Sequence, residues 1–124
     1  MSEHLCRKLA VEVLSLRAHT KIYHWNAQCY STHVALDQLL TAMNKLGDRC
    51  VETCIGIVGR PLEFSQSHRI ELGSVVVKPR DYLKNAVDKF KDLHVQFKGM
   101  TDIRNIIDEI IGSLHRTIYL LKMR

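Results

Sequence analysis

Residues 31–58 read STHVALDQLLTAMNKLGDRCVETCIGIV, a stretch without proline in which apolar residues recur at three- to four-residue steps. This period predicts an amphipathic α-helix. At about 100° per residue, the apolar side chains share one arc of that helix. They are Leu39, Leu40, Met43, Leu46, Cys50, Cys54 and Val58. Lys45, Arg49 and Thr53 fall on the far side, so the helix is predicted to have one buried and one solvent-facing side.

Four residues of the types that bind metals border the apolar arc. With His33 as zero, Asp37, Asp48 and Glu52 fall at about 40°, 60° and 100° around the helix. Ionisable groups beside a buried face are costly unless they are paired or bind a metal, so this stripe is a candidate metal site. The alternative is ordinary pairs four residues apart on a helix surface, each worth about 0.2–0.5 kcal/mol.

The spacing along the helix predicts a second subunit. Eleven residues separate Asp37 from Asp48, which at 1.5 Å per residue is about 16 Å. One metal site therefore cannot use both pairs from the same helix. A second copy running antiparallel would bring His33 and Asp37 of one chain to Asp48 and Glu52 of the other, twice per two-fold dimer. His24 would join each site from the end of the preceding helix.

Three further helices are predicted. The first covers residues 3–24 and stops at Asn26, and Ser31 or Thr32 caps the second. The third opens at Pro79 and ends at Gly99, and Thr101 caps the fourth. We therefore predict an all-α, ferritin-like four-helix bundle in which residues 1–124 form a single domain. A long crossover between helices 2 and 3 would make those two helices parallel.

Two details of this arrangement can be predicted. Gly47 lies on the apolar arc, where it costs about 1 kcal/mol relative to alanine, so a close approach by another helix is expected there. In the crossover, Phe64, Ile70 and Leu72 are expected to cover the bundle end or form a subunit contact. The run Val75–Val77 is expected to form a buried extended segment.

The residues in and before the second helix resemble the mini-ferritin family, or Dps (DNA-binding protein from starved cells). His24-Trp25-Asn26, the His33/Asp37 pair and the Asp48/Glu52 pair match its signature, and the spacing from His33 to Glu52 needs no gap. The segment between His24 and His33 is shorter than in most members, and Cys29 stands where glycine is usual. Shortened relatives of this kind occur in large DNA viruses.

The resemblance implies a function. His24, His33 and Asp37 of one chain, with Asp48 and Glu52 of its mate, would bind iron at an inter-subunit ferroxidase site, and zinc or manganese is possible in its place. Peroxide or dioxygen would oxidise Fe(II), with Trp25 either packing at the helix junction or donating electrons. Fe(III) would be stored inside a shell, typically dodecameric, which protects DNA from oxidative damage.

Composition limits the partners and the compartment. The net charge of +5 and the pI near 9.2 admit DNA as a partner, but the basic residues are dispersed and no lysine-rich tail precedes the first helix. A solvated basic surface is the simpler interpretation of these charges. No run of about 18 apolar residues suggests a membrane span, and no export signal is evident. The expected location is the cytoplasm, or a virion if the chain is virus-encoded.

The sequence leaves three alternatives open. The chain could be a non-enzymatic DNA-condensing or scaffold bundle with a structural zinc site, or it could hold a metal inside a single bundle. The second of these would draw on Glu12, His19, Asp108 and His115, although paired Glu-x-x-His motifs are missing. Cys50 and Cys54, one turn apart, could bind a soft metal, but buried thiols in a reducing compartment are the simpler interpretation.

Overall fold

The computed structural model describes residues 3–73 and 77–123, and these form four α-helices and no strand. The helices are α1 (Glu3–Trp25), α2 (Tyr30–Val58), α3 (Pro79–Gln96) and α4 (Thr101–Lys122). Each predicted helix is present, and its bounds differ from the prediction by a few residues at most. The all-α four-helix prediction is confirmed.

The helices pack as a bundle in which α1 contacts α2 and α3, and α4 contacts the same two helices. Arg17 pairs with Asp48 and His24 lies beside Asp37, so α1 and α2 are antiparallel. Lys8 contacts Gln96 at one end of α1, and Ser15 contacts Tyr82 nearer its middle, so α1 and α3 are antiparallel as well. It follows that α2 and α3 are parallel and are joined by the predicted long crossover.

The core lies along the bundle axis and draws on all four helices. Its fully buried large side chains include Leu9, Leu16, Leu36, Leu39, Met43, Leu83, Phe90, Leu93, Phe97, Ile103, Ile107 and Ile110. Helices α1 and α2 approach closely at Gly47, because a Cβ built there would lie 2.6 Å from Val13 Cγ1. The predicted close approach at Gly47 is confirmed.

Two of the predicted helix caps are wrong. The N-cap of α2 is Cys29, in extended conformation, so Ser31 and Thr32 lie inside the first turn. Thr101 is the first helical residue of α4 and Met100 is its N-cap. Neither N-cap side chain makes a capping hydrogen bond, although Cys29 Sγ contacts the hydroxyls of Ser31 and Thr32. A propensity rule selects cap-forming residue types, whereas the actual starts depend on how the short connections enter the bundle.

The crossover is fastened to α1 by polar contacts. The N–H of Gly73 donates to His19 Nε2 at 2.9 Å, and the Tyr23 hydroxyl donates to the carbonyl oxygen of Val77 at 2.7 Å. Val75 and Val76 lie outside the described residues. Val77 itself is 42% exposed, so the prediction of a buried segment is wrong for this valine.

Within the described part of the chain, no helix is long and apolar enough to cross a membrane.

Candidate metal centre

His24 occupies the last turn of α1 and is only 9% exposed. Both of its ring nitrogens are buried, and neither has a hydrogen-bond partner among the residues described. Burial lowers the pKa of His24, helped by the charges of His33 and Lys21 and opposed by Asp37. The imidazole is therefore held neutral near pH 7, which is the form that binds a metal through a ring lone pair.

His33 and Asp37, from the first turns of α2, lie against His24. The two imidazole rings stack with centroids 4.0 Å apart, and Asp37 Oδ1 is 3.6 Å from His24 Nε2. His33 Nδ1 is 3.2 Å from the backbone carbonyl oxygen of His24. A carbonyl oxygen only accepts, so Nδ1 is the donor of this hydrogen bond, and in the neutral ring Nε2 is then the nitrogen that can bind a metal. Metal-binding histidines are commonly oriented in this way, by a hydrogen bond from the ring nitrogen that does not bind the metal. We call these three residues the His24 cluster.

Asp48 and Glu52 do not join the His24 cluster within one subunit. They lie farther along the same helix, with the two aspartates about 16 Å apart at 1.5 Å per residue. Both side chains are exposed, and Asp48 Oδ1 is 3.3 Å from Arg17 Nη1. Across residues 3–73 and 77–123, no three His, Cys, Asp or Glu side chains are placed to hold a metal ion. The five candidate ligands therefore form two separate groups in the single chain.

An open groove runs between α1 and α2 from one group toward the other. Its volume is about 540 Å³, and its wall includes the half-exposed Leu14 together with Leu40 and Ile70. Arg17 and Lys21 of α1 line the same groove, as does Asp37 of α2. Sequence reasoning missed Leu14, Arg17 and Lys21. The sequence did hold one signal for the groove, because Leu14 is an apolar residue outside the buried stripe of α1.

Two aromatic residues flank the His24 cluster at the α1–α2 turn. Trp25 is 68% exposed, with Lys21 Nζ at 5.9 Å from its ring, so it is not a packing anchor within the single subunit. Tyr30 is also exposed, and its ring stacks with that of His33 at 6.5 Å between centroids. Sequence reasoning named Trp25 and missed Tyr30.

Two of the residues proposed for a centre inside a single bundle, His19 and Asp108, have other partners. The Nδ1 of His19 lies 2.7 Å from the carbonyl oxygen of Ser15, and its Nε2 accepts from the crossover. Asp108 pairs with His94 of α3 at 3.0 Å rather than with His115, which is exposed. Cys50 and Cys54 are fully buried, and burial raises the pKa of both thiols, which disfavours metal-binding thiolates.

Comparison with known proteins gives a match that extends over residues 24–121, to a family of unknown function (DUF5856). The chain belongs to the DUF5856 family. The matched region begins at His24 and contains both ligand groups, so all five candidate ligands of the two-subunit site lie inside the part of this DUF5856 protein that matches. No curated protein and no solved structure matches the chain significantly.

Proposed function

We propose that this DUF5856 protein is a mini-ferritin that binds Fe(II) between two antiparallel subunits and oxidises it with peroxide or dioxygen. The observation that carries the proposal is His24. A buried imidazole with no hydrogen-bond partner in the described structure costs about 1–3 kcal/mol. A bound metal removes that cost, because the ring lone pair then has a partner.

Pairing two subunits completes the site. The His24 cluster supplies imidazole nitrogens and one carboxylate, while Asp48 and Glu52 of the partner supply two more carboxylates. Such a mixed set suits Fe(II) and favours the more highly charged Fe(III) product. The groove between α1 and α2 gives the partner helix an apolar surface to cover, with Leu14 and Leu40 in its wall. The two-fold axis then makes two identical sites.

Iron is the substrate of the proposed reaction. Two Fe(II) ions and one hydrogen peroxide, with two protons, give two Fe(III) ions and two waters. Electrons thus reach peroxide in pairs and no hydroxyl radical is released. The Fe(III) would then be stored inside a shell, which keeps Fe(II) and peroxide away from DNA.

The decisive assay mixes the purified protein anaerobically with Fe(II), adds peroxide and follows Fe(III) absorbance. The double variant Asp48→Ala/Glu52→Ala should oxidise iron at least tenfold more slowly than wild type, since it removes two ligands. The matched control is Asp88→Ala/Asp92→Ala, which removes an exposed acidic pair with the same spacing from α3. Equal rates for wild type and the Asp48/Glu52 variant would refute the assignment.

Zinc distinguishes the proposal from a structural metal site. A structural site would retain zinc through dialysis against a chelator and give no Fe(II) oxidation. The ferroxidase should instead exchange zinc readily, and zinc should inhibit iron oxidation. Salt-sensitive DNA binding without any oxidation would support the DNA-condensing alternative.

Light scattering tests the assembly. The chain has a mass of 14.3 kDa, so a dimer would be about 29 kDa and a dodecameric shell about 170 kDa. Either mass is compatible with the inter-subunit site. A strict monomer that oxidised iron would contradict it.

A further inference from the structure

Arg17 holds one of the proposed ligands within its own subunit. Its Nη1 lies 3.3 Å from Asp48 Oδ1, across the contact between α1 and α2. Arg17 is partly buried and Asp48 is exposed on the proposed interface side of α2. The Arg17 guanidinium therefore contacts a carboxylate oxygen of Asp48 that the proposed site needs to bind its metal.

The charges around the groove explain why a cation is needed there. In the metal-free dimer, Asp37 of one subunit would face Asp48 and Glu52 of the other, which places three carboxylates in each site. Like charges this close repel each other. Arg17 and Lys21 both line the groove together with Asp37, and of these two cations Arg17 is the one in ion-pair contact with an acid, Asp48, in the described structure.

We propose that Arg17 is the counter-cation of the metal-free site, pairing with Asp48 until a divalent metal displaces it. This inference rests on the proposed function. Arg17 would stabilise the empty interface and compete with the incoming metal. It would thereby keep the site from retaining iron too tightly, so that oxidised iron is passed on.

Electrostatics gives the size of the effect. A metal bound to Asp48 would lie roughly 6–8 Å from the centre of the guanidinium charge, and even water-like screening leaves a repulsion that weakens binding by about fivefold to tenfold. Removing the positive charge while keeping a polar side chain should therefore tighten metal binding by that factor. A substitution that keeps the positive charge on a different side chain should not tighten metal binding.

Co(II) is a suitable probe because it does not oxidise under the conditions that oxidise Fe(II). Its binding is titrated anaerobically by calorimetry and by its visible absorbance. We expect Arg17→Gln to bind Co(II) about fivefold to tenfold more tightly than wild type, and Arg17→Lys to stay within about twofold of wild type. The double variant Arg17→Gln/Asp48→Asn should lose the gain, because the carboxylate that Arg17 neutralises is gone.

The charge control is Arg49→Gln. Arg49 also makes an ion pair, with Glu109 at 3.6 Å, but on the far side of α2. If Arg17→Gln binds Co(II) no more tightly than wild type, or if Arg49→Gln tightens binding equally, the role of Arg17 is refuted while the metal site stands. If wild type itself binds no Co(II), both the site and this inference are refuted.

Discussion

The imidazole rings of His24 and His33 stack 4.0 Å apart, and the Nδ1 of His33 donates to the backbone carbonyl of His24 at 3.2 Å. His24 lies in the last turn of α1 and His33 near the start of α2, so the four-residue connection between the helices sets their relative position. This connection is short, as the sequence suggested, and it still brings both rings together beside Asp37. The geometry of the proposed site thus depends on the α1–α2 turn.

His24 should cost stability in the metal-free protein. Replacing it with leucine removes two buried nitrogens that lack hydrogen bonds in the described structure, so His24→Leu should raise the free energy of unfolding by about 1 kcal/mol. Urea denaturation in the presence of a chelator measures this. Co(II) binding should weaken at least tenfold in the same variant.

The matched control for His24→Leu is His19→Leu. His19 is similarly buried on α1, but both of its ring nitrogens make hydrogen bonds. This second variant should be destabilised by about 1–3 kcal/mol, because the N–H of Gly73 and the carbonyl of Ser15 lose a partner. A loss of stability in His24→Leu similar to that in His19→Leu would show that His24 serves the fold rather than a ligand.

The same burial predicts a pH dependence. His24 has a pKa below its usual value of 6.5 in the folded protein. As the pH falls through 6.5, His24 takes up a proton more readily in the unfolded chain than in the folded protein, so the free energy of unfolding decreases. Above that pH both states are neutral and the effect vanishes. The difference in stability between His24→Leu and wild type should therefore widen from pH 8 to pH 5.5, and a constant difference would count against the shift.

Gly47 should resist substitution although it lies inside a helix. Gly47→Ala places a methyl group against the stiff, β-branched Val13 and should cost about 1–3 kcal/mol by overpacking. Gly112→Ala is the control, since nothing lies within 4 Å of the added Cβ, and helix propensity alone should stabilise it by about 0.5–1 kcal/mol. Thermal unfolding compares the two. Adding Val13→Ala to Gly47→Ala should recover part of the loss, and no recovery would mean that Val13 is not the obstacle.

The cysteines should differ sharply in reactivity. Burial raises the pKa of Cys50 to about 12 and also raises that of Cys54, whereas Cys29 is exposed at the start of α2. Ellman's reagent at pH 7.5 should modify Cys29 in the native protein, and the buried thiols only after unfolding in urea. Rapid native labelling of Cys29→Ser would contradict this assignment.

The four helices could be predicted because each has a strong apolar period. The Gly47 contact could be predicted because a glycine on a buried helical arc leaves room for a neighbouring helix. The helix starts at Tyr30 and Thr101 could not, since neither N-cap side chain makes a capping hydrogen bond. The crossover depends on contacts of His19 and Tyr23 with residues more than fifty positions away. Such contacts leave no local pattern in the sequence.

Part of the candidate site could also be predicted from local sequence pattern. His33 and Asp37 share a helix face, and only a short turn separates His24 from the start of that helix. The proximity of the three residues could therefore be predicted. The ion pair of Asp48 with Arg17 could not, because a helical wheel shows one helix and the arginine belongs to another. The exposed Tyr30 likewise became visible only once its ring was placed against His33.

The central claim, that each metal site is shared between two subunits, is tested most directly by complementation. One variant carries His33→Ala and Asp37→Ala, and the other carries Asp48→Ala and Glu52→Ala. Each alone should bind Co(II) poorly and leave Fe(II) unoxidised, whereas unfolding and refolding an equimolar mixture should form mixed dimers with one intact site and restore activity. Restoration to about a quarter of wild type is the predicted result, because half the dimers are mixed and each has one of two sites. A refolded mixture with subunit exchange verified by mass spectrometry and no recovered binding would contradict the claim.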